Sequence, residues 1–186
     1  MFVTPPEKII YCYGVQTPSM KALAENDAAV QLHNGFSAKL YETHDPSSHL
    51  MIVLDDLMSD DSIYKDLSDV FTKFSRHLNI TICFVNQNLY YRGSSNAQKF
   101  SRDIMSNASE VVLFRNLKCN SAAMTLGKQA FPQKYRFFVN VYRNATKYPH
   151  SYLYLSFHPT NREDLILRTR VFYTIETPII YIEASK

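Results

Sequence analysis

Asp55 and Asp56 follow an unbroken apolar run, Leu50-Met51-Ile52-Val53-Leu54, and precede Leu57-Met58. Adjacent carboxylates are hard oxygen donors. At the rim of a site they can hold a hydrated Mg²⁺ and polarise a water for attack on a phosphoryl group. A second polar cluster, Asn86-Gln87-Asn88, closes another apolar run, Ile80-Thr81-Ile82-Cys83-Phe84-Val85. A plainer reading of the first cluster is a strand that ends in an acidic turn, and residues 49–58 alone do not choose between the two.

What lies between the clusters decides whether they meet. An apolar run without polar alternation reads as a strand covered on both faces, as in a parallel sheet. Burying two carboxylates inside such a sheet is costly, which puts them at its C-terminal edge, where open α/β folds bind ligands. Ser59 is a good N-cap, with Asp60 and Asp61 in the favourable first turn. Ile63, Leu67, Val70, Phe71, Phe74 and Leu78 then recur at spacings of three and four, predicting an amphipathic helix. Strand, crossover helix and strand imply a right-handed unit with parallel strands. Asp55, Asp56 and Gln87 are therefore expected as neighbours at one rim.

The rest of the chain supplies the frame. Met1 to Pro6 is expected to be extended, because Pro5-Pro6 excludes a helix. Lys8 to Tyr13 is a β-prone run closed by Gly14, and Pro18 opens a short helix over Ser19–Asn26. Ala28–Leu32 reads as a further helical piece, and Phe36–Tyr41 is not decided by pattern. Leu89–Ser95 reads as a loop and Ala97–Asn107 as a helix. Glu110–Phe114 reads as a third buried strand ending at Arg115-Asn116. Helices are expected over Asn120–Phe131, with Ala122, Leu126 and Ala130 on one side, and over Tyr135–Thr146. Tyr152–Phe157 is a core strand, Leu165–Tyr173 an alternating one, and Pro178–Ile182 an edge strand. Ile9–Tyr13, Leu50–Leu54, Ile80–Val85 and Val111–Phe114 are expected in one mainly parallel sheet flanked by helices, and residues 1–186 as a single α/β domain.

Composition narrows the function classes. At 186 residues, with 46% hydrophobic and 20% charged residues, the chain has the make-up of an ordinary globular protein. Only 4 Gly leave little room for a glycine-rich phosphate loop. A net charge of +3 is too mild to imply nucleic-acid binding by itself. Lys118, Lys128, Lys134, Arg136, Arg143 and Lys147 nonetheless bias one region towards DNA contact, or are simply solvated helix faces. Cys12, Cys83 and Cys119 read as buried thiols of a reducing compartment, not as a disulfide or zinc framework. No apolar run reaches transmembrane length and the N-terminus is no signal peptide. The expectation is an intracellular protein without a membrane association, neither secreted nor glycosylated.

The ordered set of motifs resembles the FtsK/HerA-type DNA-packaging ATPases of virus-like Polinton transposons and related DNA viruses. The residues that carry the resemblance begin with Pro5-Pro6-Glu7-Lys8-Ile9-Ile10-Tyr11-Cys12-Tyr13-Gly14, Val53-Leu54-Asp55-Asp56-Leu57-Met58 and Phe71-Thr72-Lys73-Phe74. Ile82-Cys83-Phe84-Val85-Asn86-Gln87-Asn88-Leu89 and Val111-Val112-Leu113-Phe114-Arg115-Asn116 come next, followed by Gln129-Ala130-Phe131-Pro132, Asn144-Ala145-Thr146 and Leu167-Arg168-Thr169-Arg170. The resemblance implies a RecA-like P-loop NTPase core that hydrolyses ATP with Mg²⁺. It further implies a ring of subunits that drives double-stranded DNA into a capsid, with capsid or portal proteins as partners. On it, Asp55 is the Mg²⁺ residue and thereby the cofactor contact, Asp56 the Walker B residue that activates water, and Gln87 the polar sensor of the γ-phosphate. Arg102 and Arg115 are candidates for an arginine finger acting in trans, or surface or DNA-facing arginines.

One family element has no counterpart. Gly-x-x-x-x-Gly-Lys-Ser/Thr occurs nowhere in the 186 residues, and the backbone N–H cradle and lysine of that loop supply most phosphate binding. The core is thus expected to be incomplete, lacking its N-terminal P-loop segment: a fragment, one half of a split gene or a degraded copy. Two functions remain open. One is the C-terminal part of a DNA-packaging ATPase, active only with a P-loop from elsewhere. The other is a non-catalytic descendant acting as a DNA- or protein-interaction module.

Overall fold

The computed structural model describes residues 5–57, 63–87, 95–117, 121–172 and 177–184. Two compact units emerge, Met1–Asn107 and Ala108–Lys186.

The first unit is a parallel sheet of four strands: β1 (Lys8–Tyr13), β2 (Val30–Asn34), β3 (Leu50–Asp55) and β4 (Ile80–Val85). They lie side by side in the order β2-β1-β3-β4. The β3–β4 pairing is parallel as the crossover argument requires, with Leu50 opposite Ile80 and Asp55 opposite Val85. Ile52 and Leu54 are fully buried and Val53, on the opposite face, nearly so, which is what an unalternating apolar run demands. At the other end of the pair, His49 Nε2 sits 2.8 Å from Thr81 Oγ1 and Asn79 Nδ2 donates to the Ser48 carbonyl.

Helix α1 (Pro18–Asn26) links β1 to β2, with Thr17 as N-cap and Pro18 in its first turn. Residues 30–34 form a strand, not the helical piece expected over Ala28–Leu32. Val30 is buried and Gln31 exposed, so a short half-wet edge strand carries too few residues to reveal its period. Phe36–Tyr41, undecided by pattern, contains a 3₁₀ turn at Ala38–Leu40.

The predicted Ile63–Leu78 helix is interrupted. α2 (Ile63–Asp69) widens into a π-turn at Val70–Phe74 and closes as α3 (Ser75–His77). The extra residue per turn resets the helical phase. Val70 is fully buried, Phe71 meets Phe84 edge-on at 6.4 Å and Phe74 meets Tyr41 at 5.8 Å. The Ser59 cap, the Met1–Thr4 part of the extended N-terminus and the Leu89–Ser94 part of the loop lie outside the described residues. α4 (Ser95–Asn107) packs on α2 and buries Ile104.

The second unit corrects the expected sheet. β5 (Glu110–Phe114) does not join the parallel strands; it pairs antiparallel with β6 (Tyr152–Ser156) in a sheet ordered β5-β6-β7-β8. β7 (Leu167–Thr169) is much shorter than the Leu165–Tyr173 strand expected, because a 3₁₀ turn occupies Glu163–Leu165 and Arg170 takes a positive φ of 60°. β8 (Ile179–Ile180) is the edge strand. β5 is not buried on both faces: Val111 and Leu113 are enclosed while Val112 and Phe114 are exposed. A five-residue apolar run does not distinguish a doubly covered strand from one whose outer face is aromatic and bare.

α5 (Ser121–Ala130) and α6 (Tyr135–Ala145) fall within a residue of expectation. α5 turns Leu126 inward as expected, joined by Ala123 and Gly127 in place of Ala122 and Ala130. Gly127 is required by contact, since a Cβ there would stand 2.3 Å from the ring of the fully buried Phe138. No helix among the described residues is long and apolar enough to cross a membrane.

Candidate functional site

The chain leaves β1 through α1 towards β2 on one side, then crosses back to β3 and proceeds to β4 on the other. The order of winding therefore reverses between β1 and β3, and such reversals open a crevice beyond the carboxyl ends of the strands. Tyr13, Asp55 and Val85, the last residues of β1, β3 and β4, stand in register across the sheet. Beyond them a groove of about 230 Å³ is lined by Val15, Thr17, Met20, Asp55, Asp56, Val85 and Gln87. Asp55, Asp56 and Gln87 thus meet as the crossover geometry predicts.

Each carboxylate is held differently. Asp55 is half-buried, and its Oδ2 accepts a hydrogen bond from the Tyr11 hydroxyl at 2.8 Å. Burial, with that bond added, pushes the Tyr11 phenol up to about 12. Tyr11 therefore remains a donor throughout the ordinary pH range and fixes the carboxylate's rotamer. Asp56 is exposed and takes a positive φ of 53°, a conformation that Asp tolerates better than most residues. The resulting turn packs against Gly14, whose N–H donates to the Asp55 carbonyl at 3.3 Å. A Cβ on Gly14 would come within 2.8 Å of the Asp56 carbonyl oxygen, so this crossing of two loops needs glycine.

The fourth wall is the start of α1. Thr17 Oγ1 accepts the Met20 N–H at 3.4 Å, and Met20 closes the floor. Tyr11 and the Gly14–Thr17 connection were not singled out by sequence. Both follow from strand order, because the residues after β1 must meet those after β3 once the two strands are neighbours.

The candidate arginines lie on other elements. Arg102 is an exposed residue of α4 whose Nε donates to the Gln98 carbonyl at 3.4 Å. Arg115 is exposed just after β5, in the second unit. Arg102, of the same unit as the groove, is not among the residues that line it. Among the basic residues, Lys128 sits over the Tyr135 ring, Lys134 reaches Glu183 at 3.9 Å and Lys147 lies over Tyr148. Arg136 and Arg143 are exposed on α6, and Lys118 falls outside the described residues.

Cys12 is fully enclosed and burial pushes its thiol up to about 12, so it is inert. Cys83 is half-buried and shifted the same way, and Cys119 lies outside the described residues. Among the described residues no three His, Cys, Asp or Glu side chains converge on a metal position. Two carboxylates suit Mg²⁺ better than zinc, because Mg²⁺ keeps several waters and takes one or two carboxylates together with phosphate oxygens. Among the described residues no lysine or arginine lines the groove, so the described walls fit a hydrated metal and a water rather than phosphate oxygens.

No protein-family model, curated protein or solved structure matches this chain.

Proposed function

We propose that residues 1–107 carry the metal-and-water half of a nucleotide site. On this reading the chain is the C-terminal part of a RecA-like, DNA-packaging or DNA-translocating ATPase that turns over ATP only when a P-loop is supplied from outside these 186 residues. The observation that carries it is the convergence of Asp55, Asp56 and Gln87 on one groove at the winding reversal of a parallel sheet. Asp55, oriented by Tyr11, would hold the hydrated Mg²⁺. Asp56 accepts a proton from the attacking water, and the Gln87 amide keeps that water in line. Bound Mg²⁺ supplies charge neutralisation at the phosphate oxygens. Assembly into a ring, with Arg102 or Arg115 reaching a neighbouring copy and with duplex DNA and capsid or portal partners, belongs to the same proposal.

A non-catalytic interaction module is the second reading. Residues 108–186 favour it: they carry 11 Lys and Arg against 5 Asp and Glu, a net of +6, where residues 1–107 carry 9 against 12, a net of −3.

Reconstitution separates the readings. The 186-residue chain alone should not hydrolyse ATP. Fused to, or mixed with, a strand–P-loop–helix segment, it should gain Mg²⁺-dependent turnover. In the restored protein, Asp56→Asn should cut turnover by roughly a hundredfold or more while nucleotide still binds. Equal turnover with Asp56→Asn and with Gln87→Ala would remove both residues from these roles.

A further inference from the structure

The two faces of the second sheet differ in kind. By register, Val111, Leu113, Leu153, Leu155 and Leu167 share one face, which is aliphatic and buried, and α6 packs on β6 and β7. Val112, Phe114, Tyr152, Tyr154 and Arg168 share the other face. The turn after β7 brings Phe172 onto it, where the Phe172 N–H donates to the Tyr152 hydroxyl at 2.9 Å. Tyr152 then touches both Phe114, at 5.9 Å between centroids, and Phe172, at 5.4 Å. Phe172 also meets Tyr154 edge-on at 5.8 Å, and the Arg168 guanidinium lies 5.0 Å over the Tyr154 ring.

The layering matters more than the number of rings. The tyrosines are buried beneath, while Phe114 and Phe172 remain 59% and 61% exposed. Two bare rings are thus mounted on a rigid aromatic floor that has already lost its rotamer freedom. Both outer rings rest on the same tyrosine, which puts them within reach of neighbouring residues of one extended ligand.

We propose that this face of residues 108–186 is a stacking surface for single-stranded nucleic acid, with Phe114 and Phe172 each taking the π-face of a base. Three observations choose this occupant over an apolar protein segment. The most exposed groups of the face, Phe114 and Phe172, are flat rings, and its aliphatic Val112 and Ile180 are less exposed. The unit that carries them has a net charge of +6, which suits a polyanion. Arg115 follows Phe114 and Arg170 precedes Phe172 by two residues, so cations flank both rings in the chain, while Glu110 is the one carboxylate that the paired strands place on this face among the described residues. Single strands are required because a duplex hides its base faces, whereas stacking on aromatics is open to any unpaired base. The proposal uses no residue of the Asp55 groove, so it stands or falls independently of ATP hydrolysis.

The test uses the whole 186-residue chain and fluorescence anisotropy, with a labelled oligothymidine of about fifteen nucleotides as probe and a duplex of the same length as comparison. Oligothymidine should bind at least fivefold more tightly than the duplex, with an affinity that falls as salt rises. Phe114→Ala and Phe172→Ala should each weaken the single strand by roughly fivefold or more, and leave the duplex within twofold. Phe114→Leu, which keeps an apolar side chain but loses the ring, should weaken binding nearly as much as Phe114→Ala. Unchanged melting of each variant excludes misfolding. Absence of oligothymidine binding, or binding indifferent to both phenylalanines, overturns the proposal. So does self-association in sedimentation that Phe114→Ala abolishes, because the face would then serve a second copy of the chain.

Discussion

Residues 1–107 and residues 108–186 solve the same burial problem in opposite ways. The first unit buries its interior strand β3 on both faces, with Ile52 and Leu54 on one and Val53 on the other, so its polar chemistry gathers at the rim where β1, β3 and β4 end together. The second covers one face of an antiparallel sheet and leaves the other partly bare, so its chemistry lies on a face. Charge follows the same division, −3 in the first unit and +6 in the second. A doubly covered strand concentrates function at its end, where a cation and its waters fit. A singly covered sheet offers area, where an extended polyanion fits.

The comparison is broken most readily through the cores. Phe138→Ala should cost about 3–5 kcal/mol and Leu54→Ala about 2–5 kcal/mol, since both side chains are fully buried. Hydrogen exchange should place the first loss on amides of residues 108–186 and the second on residues 1–107. Equal losses throughout would mean that the units do not fold as separate bodies. Next come the two crowded glycines. Gly127→Ala drives a methyl into Phe138 and Gly14→Ala drives one into the Asp56 carbonyl, each costing about 1–3 kcal/mol in chemical denaturation. Only the Gly14 change should also disturb amide shifts at Asp55 and Asp56.

High pH sharpens the contrast. Burial is the largest cause that holds Cys12, Tyr11 and Tyr154 at about 12, against ordinary values of 9 for the thiol and 10 for the phenols. Folding favours their neutral forms. The stability they contribute is complete below pH 9 and declines as pH rises through 12, because the unfolded chain ionises first. A phenolate absorbance titration should show Tyr11 and Tyr154 titrating late, and Tyr11→Phe should remove one of these late steps while leaving that of Tyr154. The same substitution deletes the hydrogen bond to Asp55, costing about 1 kcal/mol in the first unit only. The smallest effect is expected on the surface. Lys73→Ala breaks an exposed ion pair with Asp69 and should cost about 0.5 kcal/mol or less.

Much of the first unit can be read from its chain because its strands are long, apolar and separated by a clear helical period. That pattern yields the parallel β3–β4 pair and the meeting of Asp55, Asp56 and Gln87. It does not yield β2, whose five residues are too few and too polar to show a period. Nor does it yield the π-turn at Val70–Phe74, which depends on where Phe71 and Phe74 find partners. Tyr11 was hidden for another reason: its role needs the β1–β3 neighbour relation, which no local pattern contains. The second unit was the harder one to read. The apolar Val111–Phe114 run has the composition of a parallel core strand, yet Val112 and Phe114 turn outward, and only the pairing with β6 reveals it.

The most direct test of the central claim, that the groove beyond β1, β3 and β4 is a divalent-metal half-site, is paramagnetic broadening by Mn²⁺ in place of Mg²⁺ on the isotope-labelled chain. Broadening should begin at the amides of Gly14–Thr17, Asp55–Leu57 and Asn86–Gln87, should be displaced by excess Mg²⁺, and should be lost in Asp55→Asn. Broadening that starts instead at other surface carboxylates, such as Asp45 or Asp27, and that is unchanged in Asp55→Asn would contradict it.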